Sequence, residues 1–335
     1  MKIKADTKLI RRLMFTQTED MNDLLSELLK DMGCDVREDK SGNLIATKGD
    51  IVGAPVLIAH TDTVLRTEPL HIVVLNEWIM AIDGDGKQAA TGADDRAGCA
   101  AILQLIPRLQ DVICIFMAYE EHGGLGAQGF ELELIQGASI VIELDRRITS
   151  KVASDAIWST NGITIASAAC KRALKSVFSR YGYKYNEGTF TDVGELKHNG
   201  LIPSCFNLSI GYMREHSSTE VLYLPAYMRA LDCALAIIKA CKGRQYPHEP
   251  VSTSRYIGRE VYALDAPKMT RKERKQARRM RQAQLEYFED NMTSGPVFGD
   301  PLYCEGCGCT AETSQLHGMS LCEDCLKIWG GGSRV

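Results

Sequence analysis

No stretch of this sequence is long and apolar enough to span a bilayer. The longest apolar runs, such as Ile51–Ala59 and Val112–Tyr119, are only strand-sized. The segment MKIKADTKLIRRL reads as an amphipathic helix with charge scattered along it, not as an apolar signal segment. The expectation from these absences is a cytoplasmic protein with no membrane association. Charge of one sign is also lacking. Lys and Arg number 39 against 43 Asp and Glu, and the resulting net charge of −4 carries no overall nucleic-acid signal. No internal repeat is visible. Of the 12 cysteines, Cys34, Cys99, Cys114, Cys170, Cys205, Cys233 and Cys241 stand singly in apolar surroundings, where a free thiol behaves as a small buried hydrophobe. The rest crowd between Cys304 and Cys325 at metal-ligand spacing. A disulfide framework is therefore not expected, and the pattern suits a reducing compartment.

What is present suggests one large domain and an appendage, since 335 residues exceed a single small core. Asp6 to Met32 has a helical pattern. Strand-like runs at Val56–His60, Val112–Tyr119, Ser139–Leu144, Gly162–Ala168 and Ser204–Ile210 then alternate with helical runs at Gly98–Leu109, Lys171–Tyr181 and Ala226–Cys241. That alternation predicts an α/β domain with a largely buried sheet covered by helices. Composition changes after about Lys242. Gly243–Val261 has little periodicity, and Lys268–Arg281 carries eight basic residues against one acidic. The latter reads as a solvated helix.

Five fragments carry chemistry. Leu57-Ile58-Ala59-His60-Thr61-Asp62 is an apolar strand running out at His-x-Asp. Residues two apart on a strand share a face, so Asp62 can hold the imidazole of His60, as a carboxylate does behind a metal-bound His. Gly92-Ala93-Asp94-Asp95-Arg96-Ala97-Gly98 opens a helix. Its paired carboxylates suit helix caps, or Asp94 bridges two cations while Asp95 and Arg96 are structural. Glu120-Glu121-His122-Gly123-Gly124 follows another apolar strand. One Glu there can ligate metal while its neighbour takes a proton from a metal-bound water. Ile140–Asp145 is a buried strand ending in carboxylates, and Tyr212–Glu220 places His216 after the last strand. In α/β folds ligands collect at the carboxyl ends of strands. The ordered set of two His and several carboxylates, with a Glu to spare, makes a complete site for metal-assisted hydrolysis.

In these motifs the sequence resembles the clan of di-zinc exopeptidases, which includes bacterial aminopeptidases, peptidase T and the aminoacylase and carboxypeptidase group. The likeness runs over residues 5–242, and Thr189-Phe190-Thr191-Asp192 resembles the clan's Thr-Asp segment. It implies a three-layer αβα sandwich with a mixed, mostly parallel sheet. It also implies two zinc ions (or cobalt or manganese). Asp94 would bridge them, His60 and Asp145 would complete one, and Glu121 and His216 the other. Glu120 would be the general acid/base and Asp62 would orient His60. Glu143 is a rival to Asp145, two residues away on the same strand face, and Asp192 is read as structural. His122, Tyr212 and Arg214 are candidates to touch substrate. Two departures stand out. Only 70 residues separate Asp145 from His216, too few for the lid that relatives insert there, and 31 residues lie between Asp62 and Asp94, too few for the module that other relatives carry.

The C-terminal part contains Cys304-x-x-Cys307 and Cys322-x-x-Cys325. Two such turns present four thiolates to one tetrahedral zinc, with Cys309 and His317 as substitutes. A segment this small needs the metal to fold, so a zinc-ribbon or knuckle tail is expected. Docking of nucleic acid or protein through residues 268–325 is considered and not favoured, since basic residues are not interleaved with aromatics.

The expected organisation is a hydrolase domain over residues 1–245, a linker with a basic helix over 246–298, and a zinc-binding module over 299–330. The expected function is a metallopeptidase of the aminopeptidase or dipeptidase kind, hydrolysing a peptide. The alternatives are a deacylase of N-acyl amino acids or other small amides, or a catalytically silent binding protein on the same fold.

Overall fold

The computed structural model describes residues 3–64 and 71–251, together with the backbone of two short strands near the C-terminus. It divides the chain into two units, Met1–Ser254 and Arg255–Val335. The first begins with α1 (Thr7–Phe15) and α2 (Thr18–Asp31), followed by strands β1 (Asp35–Glu38), β2 (Leu44–Lys48) and β3 (Val56–His60). Strands β4 (His71–Leu75), β5 (Trp78–Ile82) and β6 (Gln88–Ala89) precede α3 (Ala93–Leu105) and β7 (Val112–Met117). Then come α4 (Leu125–Gln128), β8 (Val141–Arg146), β9 (Ser154–Thr160), β10 (Ile163–Thr164), α5 (Ala168–Arg180), β11 (Tyr183–Gly188) and α6 (Asp192–His198). The unit closes with β12 (Cys205–Ser209), β13 (Tyr212–Met213), β14 (Val221–Tyr223) and α7 (Leu224–Cys241).

A nine-stranded mixed sheet forms the middle layer, in the order β1-β2-β7-β3-β8-β12-β9-β10, with β11 also pairing β9. Its centre, β7-β3-β8-β12, is parallel. Central parallel strands are buried on both faces and read as continuous apolar runs. Accordingly VLIAH of β3 and VICIFM of β7 are buried at every position. Residues Leu57, Ala59, Ile142 and Leu144 pack with α3, α5 and α7 on one face, while Val56, Ile58 and Val141 pack with Ala127, Val193 and Leu196 of α4 and α6 on the other. This is the αβα arrangement expected from the sequence.

Local chemistry explains the ends of the elements. Asp6 caps α1 by accepting the amides of Lys8 and Leu9. Met21, Leu25 and Leu29 give α2 a buried stripe at helical spacing. The helical pattern from Asp6 to Met32 is two helices, because Thr16 and Gln17 between them are extended. The expected strand over Gly162–Ala168 contracts to β10, since Ser167 caps α5 by accepting the amide of Cys170.

Between Asp62 and Asp94 the chain builds part of a second, five-stranded sheet, in which β13-β14-β5-β4 are neighbours and β6 pairs β5. The sheet joins this stretch to the segment around His216. Residues 246–251, assigned to the linker from sequence, are hydrogen-bonded to this unit. Tyr246 O accepts from Ser204 N, and the buried Lys197 ammonium donates to the carbonyls of Leu201, Ile202 and His248. No helix among the described residues is long and apolar enough to cross a membrane.

In the second unit, β15 (Thr313–Leu316) and β16 (Met319–Cys322) pair antiparallel, with Thr313 opposite Cys322. Cys304, Cys307, Cys309, His317, Cys325 and the basic segment 268–281 lie outside the described residues. Cys322 is described as backbone alone.

Candidate active site

The central parallel strands deliver the predicted residues to one end of the sheet. His60 is the last residue of β3, Asp145 is near the end of β8, Glu120 and Glu121 follow β7, and His216 lies in the connection from β13 to β14. Asp94 starts α3 beside them. Thr61 N donates to Met117 O at 2.9 Å, so the ends of β3 and β7 stay joined as the two chains leave the sheet.

Asp94 is the shared member of the cluster. Nε2 of His60 lies 3.0 Å from its Oδ1, and Nε2 of His216 lies 3.2 Å from its Oδ2. His60 Nε2 is also 3.6 Å from Asp145 Oδ1, and His216 Nε2 is 2.8 Å from Glu121 Oε1. Ligand-capable atoms of His60, Asp94 and Asp145 lie within 4.8 Å of one another, as do those of Asp94, Glu121 and His216. A third trio of the same closeness, His60 with Glu120 and Glu121, brings Glu120 to the same nest. Two imidazoles among carboxylates are a donor set that fits zinc or a similar divalent ion.

A surrounding layer holds these groups. Asp62 accepts the backbone amides of Glu120 and Glu121, each at 3.1 Å, and its carboxylate lies 3.3 Å from His60 Nδ1. Tyr212 donates its hydroxyl to Asp145 Oδ1 at 2.8 Å, and Asn207 brackets the Asp145 backbone, accepting its N–H and donating to its carbonyl. Glu220 accepts the amides of Asp94 and Ala93 and the hydroxyl of Thr91. Asp95 accepts the amides of His60 and Gly98, and the buried Arg96 donates to Thr61 O and Thr18 Oγ1. Glu143 turns away from the nest, to the amides of Asp192 and Val193 at the start of α6. Asp145, not Glu143, is thus the β8 carboxylate beside His60. Asp192 is fully buried, and among the described residues neither of its carboxylate oxygens has a hydrogen-bond partner. His122 is exposed, its Nδ1 3.4 Å from Asp62.

Close-packed carboxylates set the electrostatics. Burial, with repulsion from Asp145 and Asp192, pushes Glu120 up to about 10, and burial pushes Asp145 up to about 6. Burial opposes ionisation of Asp62 and Asp94 too, yet hydrogen bonds from the histidines hold both well below the usual carboxylate range. Hydrogen bonds to Asp94 and Glu121 push His216 up to about 11. His60 is raised despite its burial, chiefly by Asp145.

The nest opens to an opening of about 320 Å³, whose walls include Thr189, Phe190, Tyr212, Arg146, Arg147 and Glu215. A larger groove of about 550 Å³, bordered by Lys8, Arg12, Phe15 and His71, holds none of the three metal-capable trios. Backbone geometry at the site is unusual. Tyr119, Arg214 and His216 all adopt the left-handed region, with φ of 58°, 59° and 58°. Bulky residues are rarely found there, and such conformations cluster at functional sites.

No protein-family model and no curated protein sequence matches this chain. Solved structures share its fold. An aminopeptidase PepT from Bacillus cereus superimposes with a TM-score of 0.61 at 16% identity, covering 70% of this chain and 97% of its own. A tripeptidase from Staphylococcus aureus gives 0.57 at 15%, covering 70% and 97%. The TET1 peptidase of Pyrococcus horikoshii, which assembles into a tetrahedron or a large octahedral shell, gives 0.54 at 15%, covering 69% and 98%.

Sequence reasoning left Glu220 and Asn207 without a role. Asn207 is a polar residue between Phe206 and Leu208, inside the fully buried strand CFNLS, whereas Glu220 follows the polar run His216-Ser217-Ser218-Thr219. A buried polar side chain must find a partner, and that signal was available at Asn207.

Proposed function

We propose that the first unit is a metal-dependent hydrolase of peptide or amide bonds, most simply an aminopeptidase or dipeptidase. The observation that carries this reading is Asp94, whose two oxygens face different histidines, each accompanied by its own carboxylate. The fold shared with solved aminopeptidases supports it. His60, Asp94 and Asp145 would hold one divalent cation, and Asp94, Glu121 and His216 a second, zinc or else cobalt or manganese. Bound there, the pair supplies a water that ionises near neutral pH and positive charge beside the carbonyl oxygen.

The chain's own groups do the rest. Glu120 takes the proton of the attacking water and returns it to the leaving amine, as a general base and then acid. For this it must be ionised, and positive charge in the nest brings its raised carboxyl down. Asp62 fixes His60 at its Nδ1 and sets the turn that carries Glu120 and Glu121. Tyr212 and Asn207 hold Asp145 against His60. In the C-terminal module, residues 299–330, we assign one structural zinc to Cys304, Cys307, Cys322 and Cys325, with the residues between Ser254 and this module as the connection.

Metal content of the full-length protein tests the ligand assignment. The wild type should carry about three ions per chain, and a Cys304→Ser/Cys322→Ser variant about two. A single ion that disappears in the cysteine variant would remove the paired site from the account.

A further inference from the structure

The two residues after Asp145 are Arg146 and Arg147, and both line the opening of about 320 Å³ above the nest. Arg147 is already matched, its guanidinium paired with Glu215, another residue of the lining. Arg146 is not. Among the described residues no carboxylate pairs with it, and its Nε is buried without a hydrogen-bond partner. The remaining acidic residues of the lining, Asp94, Glu120, Glu121 and Asp145, belong to the candidate metal nest. Two divalent cations would balance the formal charge of those four carboxylates. Arg147 balances Glu215, and one positive charge, that of Arg146, is left over.

A surplus cation in a concave wall raises the local concentration of anions. A guanidinium has a planar fork of donors that matches a carboxylate in two parallel hydrogen bonds. We infer that Arg146, beside the Arg147–Glu215 pair, binds a carboxylate of the substrate close to the scissile bond. The substrates are therefore short peptides that carry such a group: the C-terminal carboxylate of a di- or tripeptide, or the side chain of an Asp or Glu at the cleaved bond. The size of the opening agrees, since about 320 Å³ lies at the small end of ligand pockets, which run from roughly 300 to 1,000 Å³. This inference rests on the hydrolase reading above and adds the substrate class to it.

The test compares matched pairs on the full-length, zinc-loaded protein. Ala-Ala against Ala-Ala-amide probes a C-terminal carboxylate, and Glu-Ala-amide against Gln-Ala-amide probes an acidic side chain. In at least one pair the wild type should favour the carboxylate member by about tenfold in kcat/KM, the scale of one charged hydrogen-bonded contact. The favoured pair names the source. Arg146→Gln should bring that ratio close to one and Arg146→Lys should restore part of it, with melting temperature and metal content confirming that each variant is folded and loaded. Calorimetric binding of the same pairs to a Glu120→Gln protein gives the ratio without turnover. If no peptide is cut but binding still prefers the carboxylate through Arg146, the hydrolase reading fails and the carboxylate site stands. A ratio of one in both pairs, or a ratio that survives Arg146→Gln, overturns the carboxylate site.

Discussion

The carboxylate of Glu220 accepts the backbone amide of Asp94 at 3.0 Å, so the connection that carries His216 also holds the residue shared by both halves of the nest. The same carboxylate takes the Ala93 amide at 3.1 Å and the Thr91 hydroxyl at 2.9 Å. Glu220→Ala leaves those buried donors unsatisfied, at about 1–3 kcal/mol for a lost buried partner. The expected result is a lower denaturation midpoint together with weaker metal retention. Unchanged stability and metal content would show that the Asp94 turn is held by other contacts.

Asp62 unites three parts of the site, since it meets His60 Nδ1 and accepts the amides of Glu120 and Glu121. An Asn there keeps the shape but turns an NH2 group toward one of those two N–H donors. Disturbing the partner of a metal-bound His typically costs about 10- to 100-fold in metal affinity or activity. Asp62→Asn should fall in that range when zinc dissociation constants are compared by chelator competition. Affinity equal to wild type would remove Asp62 from its positioning role.

Metal uptake should release protons. In the metal-free chain His216 is pushed up to about 11 and Glu120 up to about 10, so both are protonated at neutral pH. His216 must lose its proton to ligate. Protons compete with the cation below that raised value, and apparent affinity therefore rises with pH. Calorimetry at pH 7 in two buffers of different ionisation enthalpy would read the release directly. Affinity that is flat between pH 6 and 9 would contradict the assignment of His216.

Gly98 allows α3 to lie against β8. A Cβ at this position would come within 2.2 Å of Asp95 Oδ2 and 2.4 Å of Leu144 O, the latter rigid backbone. Gly98→Ala should destabilise by about 1–3 kcal/mol, the usual cost of overpacking. It should also disturb Asp95, which accepts the His60 amide. A denaturation midpoint within error of wild type would mean that the helix shifts freely.

The legible parts of the fold were those whose signal is local. Strand β3 ends in His60 and β7 runs into Glu120 as unbroken apolar stretches, and parallel central strands produce that pattern. The small second sheet was not legible. Strand β4 alternates imperfectly, with His71, Val74 and Leu75 exposed and Ile72 buried, and its pairing with β5 depends on a hairpin that no strong turn signal marks. At the site, residue types and order pointed to His60, Asp94, Glu121, Asp145 and His216, and the fold brings these together. The choice between Glu143 and Asp145 could not be made from strand period alone, because both share a face. It is made by α6, whose first amides engage Glu143. Glu220 holding Asp94, 126 residues away in sequence, leaves no periodic trace at all.

Hydrolysis by a Glu120→Gln variant tests the central claim most directly. The exchange keeps size and removes only the proton-accepting carboxylate, and Glu120 is in neither of the two trios that share Asp94. Short peptides should be cut by the wild type in a chelator-sensitive way. The variant, with equal metal content, should be slower by roughly 10²–10⁴-fold, the scale of lost general-base catalysis. Equal rates in the two proteins would contradict the account of this nest as a hydrolytic centre driven by Glu120.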